Sequence, residues 1–340
     1  MPSTSPLIRS LVAAAALAII GASPALARCD PGEKVIRFSH VTAVKGHPKG
    51  EAAAELQQRI DDELNGRACM EVYPNASLFD DNDEMFQAML DGKLEIAAPS
   101  LAKMSSLSPR FQVFDLPFIF KDMEAIINFQ YTPDGEALLN AAQPKGFTGL
   151  AYWLNGMRQF SATKPLVLPS DAEGVTFRVQ GSPVEVAYYE LLKANTKKLA
   201  FSKVFDALKS GEVTGQDNSW SNIYTKKFYT VQDSITETNH SVIAYVLVAS
   251  STFMDELEPR LRADLLQIIA EVTHERNRFA FQLDEVNRGK IATDGGMIRR
   301  LNEAQRTAWV NTLKPVWSQF EREIGADLIA AAQKSNTAGF

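Results

Sequence analysis

Cysteine and histidine are scarce in this chain. Of 340 residues, two are cysteines, Cys29 and Cys69, and four are histidines, His40, His47, His240 and His274. Neither type recurs at metal-ligand spacing, so a zinc or iron–sulfur site has no support. Basic charge is also short: 35 Lys and Arg stand against 41 Asp and Glu, for a formal charge of −6. That balance argues against nucleic acid or an anionic membrane as partner. No glycine-rich phosphate loop follows any strand pattern. The acidic run Asp80-Asp81-Asn82-Asp83-Glu84 lacks the glycine and closing glutamate of a calcium loop, and reads as an acidic helix start. The sequence calls for no metal and no cofactor.

Long apolar runs are missing too. The run Leu11 to Ile20 is about ten residues, too short to span a bilayer. With Arg9 before it and Ala25-Leu26-Ala27 after it, residues 1–27 read as a cleaved signal peptide. Arg28 stands where a lipoprotein site needs a small residue before Cys29. Loss of Arg9 takes the formal charge to −7. The expected product is exported, with no stable membrane insertion. In an oxidising compartment Cys29, ahead of the first strand, and Cys69, at the start of the second, are expected to pair if those strands are neighbours.

What is present is an ordinary globular composition, 45% hydrophobic and 22% charged, at a length that favours two domains. Strand patterns at residues 34–40, 69–73, 94–98 and 147–154 alternate with helical patterns at 50–64, 83–90 and 123–129, which predicts an α/β fold with a mainly parallel sheet. The aromatic-dense stretch FQVFDLPFIF (111–120) reads as core beneath a loop. The nearly continuous apolar run at 241–249 reads as a buried strand returning to the first sheet. A breaker-free helical pattern over 258–288 predicts a helix of roughly 45 Å, longer than one small domain. Two further helices are expected at 304–320 and 326–333.

One residue stands out chemically. Val175, Phe177 and Val179 alternate with Thr176 and Arg178, and Gly181-Ser182-Pro183 ends the strand and starts a helix. Arg178 therefore falls near the carboxyl end of a strand, where open α/β sheets place their ligands. On its carboxyl side it has no acidic neighbour before Glu185, and its fork fits a carboxylate with two charge-assisted hydrogen bonds. The rival is a surface ion pair with Glu173 or Asp171.

The strings EGVTFRVQGSPV (173–184), AFSKVFDALKSGEVTGQDN (200–218) and SNIYTKKFYTVQ (221–232) resemble the extracytoplasmic solute-binding proteins of TRAP transporters. The resemblance covers the mature chain and is weakest after Asp284. It implies a fold like the type II periplasmic binding proteins: two α/β lobes joined by crossing strands, with a long helix spanning both. Lobe I would comprise 28–155 and 242–283; lobe II would comprise 156–241 and 284–340 with the C-terminal helices. It implies periplasmic location, capture of a small organic carboxylate between the lobes, and delivery to the transporter's membrane subunits.

By the same resemblance Arg178 holds the ligand carboxylate, with Arg158 of Asn155-Gly156-Met157-Arg158-Gln159 near it. Asn218 of Gly215-Gln216-Asp217-Asn218 hydrogen-bonds the same carboxylate, and Phe201 packs on the ligand. Asp217 and Ser219 depart from the family's usual Glu and Pro. Trp153 and Trp220, beside these motifs, are candidates with them. On the lobe I side His40, Ser100 and Lys103 are placed to reach the ligand's far end. APSLAK (98–103) and FDLPFIF (114–120) resemble the C4-dicarboxylate branch; a sugar acid or keto acid is the alternative.

An enzyme reading has little to stand on. Ser100 to Lys103 spells SxxK and Lys209-Ser210-Gly211 a KSG, elements that exported serine hydrolases use. No Ser-x-Asn lies between them, and the KSG falls at a helix end rather than on a strand. A binding protein, not an enzyme, is expected.

Overall fold

The structure is a computed structural model that describes residues 29–80 and 82–337; the expected signal peptide lies outside them. Among the described residues eleven strands form two sheets. They are β1 (Lys34–Ser39), β2 (Ala68–Tyr73), β3 (Ile96–Ala97), β4 (Phe147–Met157), β5 (Gln159–Ala162), β6 (Thr176–Val179), β7 (Asn195–Lys198), β8 (Gly215–Asn218), β9 (Ser234–Glu237), β10 (Val242–Ser250) and β11 (Ile298–Arg300). The first sheet has the order β2-β1-β3-β10-β4 and the second β11-β9-β5-β8-β6-β7. Each sheet carries one lobe.

The sheets are mixed rather than mainly parallel. β1 pairs in parallel with β2 and β3, but β10 is antiparallel to β3 and β4. The cause is the double crossing: β4 leads the chain out of the first lobe and β10 brings it back, so the two run in opposite directions side by side. β5 likewise runs antiparallel to β8 and β9. β3 is shorter than its sequence pattern because Pro99 ends the pairing, leaving a single bridge from Ser100 to Tyr245.

Cys69 lies in register opposite Val35 on the β1–β2 pair. Cys29, just before β1, is joined to it by a disulfide with Cα atoms 5.5 Å apart.

Two helix boundaries differ from expectation. The first helix spans Pro48–Glu63, two residues earlier than its apolar period suggested, because Pro48 takes the first position and the His47 side chain caps the Lys49 amide. The loop before it presses on the first turn: a Cβ on Gly50 would lie 1.9 Å from the Ala43 carbonyl oxygen. Near the carboxyl end, the helix expected over 304–320 is split into Glu303–Leu313 and Val316–Ile324, since Pro315 cannot continue the hydrogen-bond ladder. The last helix, Ala326–Lys334, packs on the segments Pro109–Asp115 and Met123–Gln130.

The long helix runs over 35 residues, Pro259–Thr293, capped by the Glu258 carboxylate, and spans about 52 Å. It packs on Pro48–Glu63 and β4 in the first lobe and on the helix Trp220–Thr225 in the second. Phe111, Phe114 and Phe120 are buried, with Phe114 stacked on Phe120. Among the described residues no helix is long and apolar enough to cross a membrane.

Candidate functional site

A cavity lies between the lobes, lined by side chains of both. Its first-lobe wall carries Ser39, His40, Lys49, Asp80, Ser100, Lys103 and Tyr245, and its second-lobe wall Arg178, Gln180, Phe201 and Asn222. Three of the lining side chains are Lys or Arg and one is a carboxylate, Asp80. Such a lining favours an anion.

Arg178 is at the carboxyl end of β6, as its strand pattern predicts, and is 1% exposed. Nε and Nη2 both donate to the Leu199 carbonyl, at 3.0 and 2.9 Å, which fixes the plane of the fork. Its charge lies 5.9 Å from the centre of the Phe201 ring. Among the described residues Arg178 has no ion pair. Burial accordingly pulls its pKa down to about 10, partly offset by the more distant Glu185 and Asp217. A buried cation with no counter-charge is stabilised by whatever anion enters beside it.

Arg158 is placed differently. It is as buried as Arg178 but does not line the cavity. Nη1 donates to Glu185 at 2.5 Å and to Asp217 at 3.1 Å, Nη2 to Asp115 at 3.3 Å, and Nε to the Val242 carbonyl. Three carboxylates occupy the guanidinium behind the site, at the point where β4 passes into β5. Burial pushes Asp115 up to about 7, against the pull of Arg158. Burial would raise Asp217 also, but Arg158 and the bonds from His240 and Tyr188 together hold it below its ordinary range. Glu185 extends the cluster toward the cavity: its Oε2 accepts from the Gln180 amide at 2.7 Å, and Gln180 accepts from Ser100 Oγ at 2.8 Å across the cleft.

Asn218 is also one layer back. Its Oδ1 accepts from Asn222 Nδ2 at 2.6 Å, and its Nδ2 donates to Gln216. Asn222, one turn into the next helix, is the amide that reaches the wall. Its Oδ1 accepts from His47 Nε2 at 2.7 Å, while His47 Nδ1 accepts from the Lys49 amide. Those two bonds define a neutral imidazole, and burial with Lys49 nearby pushes His47 down to about 3. Trp153 and Trp220 are core residues. The Trp153 indole donates to Thr273, and Trp220 lies against Ile223, Ile235 and Ile291 under Arg288.

On the first-lobe side His40, Ser100 and Lys103 do line the cavity. His40 Nδ1 is engaged by Thr42, while among the described residues His40 Nε2 and Ser39 Oγ are buried without a hydrogen-bond partner. Sequence reasoning missed Lys49, Gln180, Asn222 and Tyr245. Gln180 and Asn222 sit inside the strings already singled out, two and four residues from Arg178 and Asn218. Lys49 was hidden by the misplaced helix start, and nothing in its local sequence marks it.

The geometry, a two-sheet α/β protein with a cationic cleft crossed twice by the chain, is that of an extracytoplasmic solute-binding protein. A profile of the bacterial extracellular solute-binding protein family 7 matches residues 38–323, and the chain belongs to that family. It is 46% identical over 327 residues to the C4-dicarboxylate-binding periplasmic protein DctP of Vibrio cholerae, covering 96% of this chain and 98% of that one. A TRAP periplasmic solute-binding protein from Shewanella oneidensis, solved with bound succinate, superposes with a TM-score of 0.87 at 40% identity, over 90% of this chain and all of the other. One from Pseudomonas aeruginosa, with bound L-malate, gives 0.82 at 39% identity over 84% and 99%.

Proposed function

We propose that this protein captures a C4-dicarboxylate in the interlobe cleft, outside the cytoplasm, and hands it to the membrane subunits of a TRAP transporter. The observation that carries the reading is Arg178: a buried guanidinium without an ion pair, its plane fixed by the Leu199 carbonyl, facing a cavity with an excess of cationic side chains. The succinate and malate held by two similar solved proteins support the ligand class. Arg178 takes one carboxylate, Phe201 covers the ligand from the same lobe, and the Asn218–Asn222 pair orients the adjoining wall. Arg158 acts from behind, through Glu185, on the Gln180 loop.

A thermal-shift screen of the mature protein against small carboxylates, followed by calorimetry, tests this. Succinate, malate or fumarate should stabilise the fold and bind stoichiometrically. Stabilisation by a sugar acid or a keto acid alone would replace the dicarboxylate reading with that alternative.

A further inference from the structure

We propose that Lys49 is the cation that reads the far carboxylate of a bound dicarboxylate, across the cleft from Arg178. The inference rests on the dicarboxylate reading above and names the side chain that distinguishes two charged ends from one.

Lys49 sits in the first turn of Pro48–Glu63 and is 1% exposed, yet it lines the cavity. Its Nζ donates to the Ala98 carbonyl at 2.9 Å and lies 3.7 Å from the centre of the Tyr245 ring. Among the described residues no carboxylate pairs with it. A buried ammonium held by one carbonyl and one ring still has donor capacity and uncompensated charge. A second observation points the same way. Ser39 and His40 line the same cavity, and their Oγ and Nε2 are buried without hydrogen-bond partners among the described residues. The Thr42 amide donates to His40 Nδ1 at 3.4 Å, which leaves Nε2 to carry the proton. Lysine, hydroxyl and imidazole N–H thus make three donors with acceptor positions to fill, and a carboxylate fills them. Lys103 lines the cavity too, but it is half-buried, so water screens its charge more.

The surroundings of Lys49 add a signature. His47 faces it from its own helix cap, His40 from the end of β1, Tyr245 from β10 and Lys226 from beyond the helix Trp220–Thr225. Arg178, Lys103 and Asp80 lie around the rest of the cavity. Burial first, and Lys226 second, push the Lys49 amine well below its ordinary pKa. A ligand carboxylate against Nζ opposes that shift, so the pKa of the amine rises on binding.

The test is calorimetric titration of wild type, Lys49→Met and Lys103→Met with succinate and with its monoamide, succinamate. Wild type should prefer succinate. Lys49→Met should lose about 30-fold or more for succinate and less than about threefold for succinamate, while Lys103→Met keeps most of the preference. If Lys49→Met retains the wild-type ratio, or Lys103→Met abolishes it, the assignment to Lys49 is wrong although the dicarboxylate reading survives. If wild type binds neither ligand, both fall. Should Lys49→Met fail to fold, Lys49→Gln takes its place and is judged by the same ratios.

Discussion

Two arginines in this fold are equally buried and do opposite things. Arg158 satisfies Glu185, Asp217 and Asp115, which lie 27, 59 and 43 residues away in sequence. Among the described residues Arg178 donates hydrogen bonds only to the Leu199 carbonyl. The sequence put both at the ligand. Arg178 was legible because a period-2 strand and the following Gly-Ser-Pro fix its position at a strand end. The commitments of Arg158 were not, because pairing at such separations depends on tertiary placement that no local pattern encodes. The same holds for Lys49, whose reach depends on where Pro48 starts a helix. Removing one partner from a buried ion cluster leaves the others uncompensated, at roughly 3–5 kcal/mol. Arg158→Met should therefore destabilise the protein by about that amount in urea unfolding at pH 8, because three carboxylates stay behind. A loss under about 1 kcal/mol would show that the cluster tolerates an apolar replacement.

At the scale of elements, two joints hold the lobes' frames. The first is the disulfide from Cys29 to Cys69, which closes a separation of 40 residues and ties the chain to the edge of β1–β2. Loops of this size are expected to give about 2–4 kcal/mol. The Cys29→Ser, Cys69→Ser double variant should lose that much by denaturant unfolding and still bind ligand, since neither residue lines the cavity. Equal stability of the oxidised and double-serine proteins would show that the bridge adds nothing.

The second joint is where the long helix meets both lobes. Asp284 Oδ1 accepts from the Ser221 amide at 2.6 Å, and a Cβ on Gly156 would lie 2.0 Å from Asp284 Oδ2. A larger residue there would have to displace the Asp284 carboxylate, so β4 passes close against the helix. Burial raises Asp284 to about 7. A carboxyl raised in the folded state favours folding while it is protonated, and that contribution fades as pH climbs from about 4 toward 7. Asp284→Asn keeps an acceptor for Ser221 and removes the titration. It should stabilise the protein more at pH 8 than at pH 5 in paired urea titrations, and a gain independent of pH would refute the assignment. The long helix was legible from its unbroken period; this contact was not, because it joins residues 63 positions apart.

At the scale of the molecule, the two crossings, the long helix and the C-terminal helices join the lobes around the cleft, and opening of the cleft is the motion to test. Among the contacts that span it are Ser100 with Gln180, Asp80 with Ser202 at 2.5 Å, and His47 with Asn222 at 2.7 Å. These are polar, the kind that water replaces at small cost, so ligand bridging the walls should decide the balance between open and closed states through its differential affinity. Small-angle scattering should show a smaller radius of gyration at saturating succinate than without it. The α/β class and the two-lobed plan were readable from alternating periods and the resembled motifs; the mixed sheets were not, because strand direction at a double crossing follows from the chain's return path.

Titration of wild type, Arg178→Lys and Arg178→Ala with succinate, with circular dichroism alongside, tests directly whether Arg178 anchors a carboxylate in this cleft. Truncating one partner of a desolvated pair costs about 2–5 kcal/mol. The alanine variant should fold normally and bind at least about 30-fold more weakly, with the lysine variant between it and wild type because it keeps charge without the fork. A folded alanine variant that binds succinate within about threefold of wild type would contradict the account.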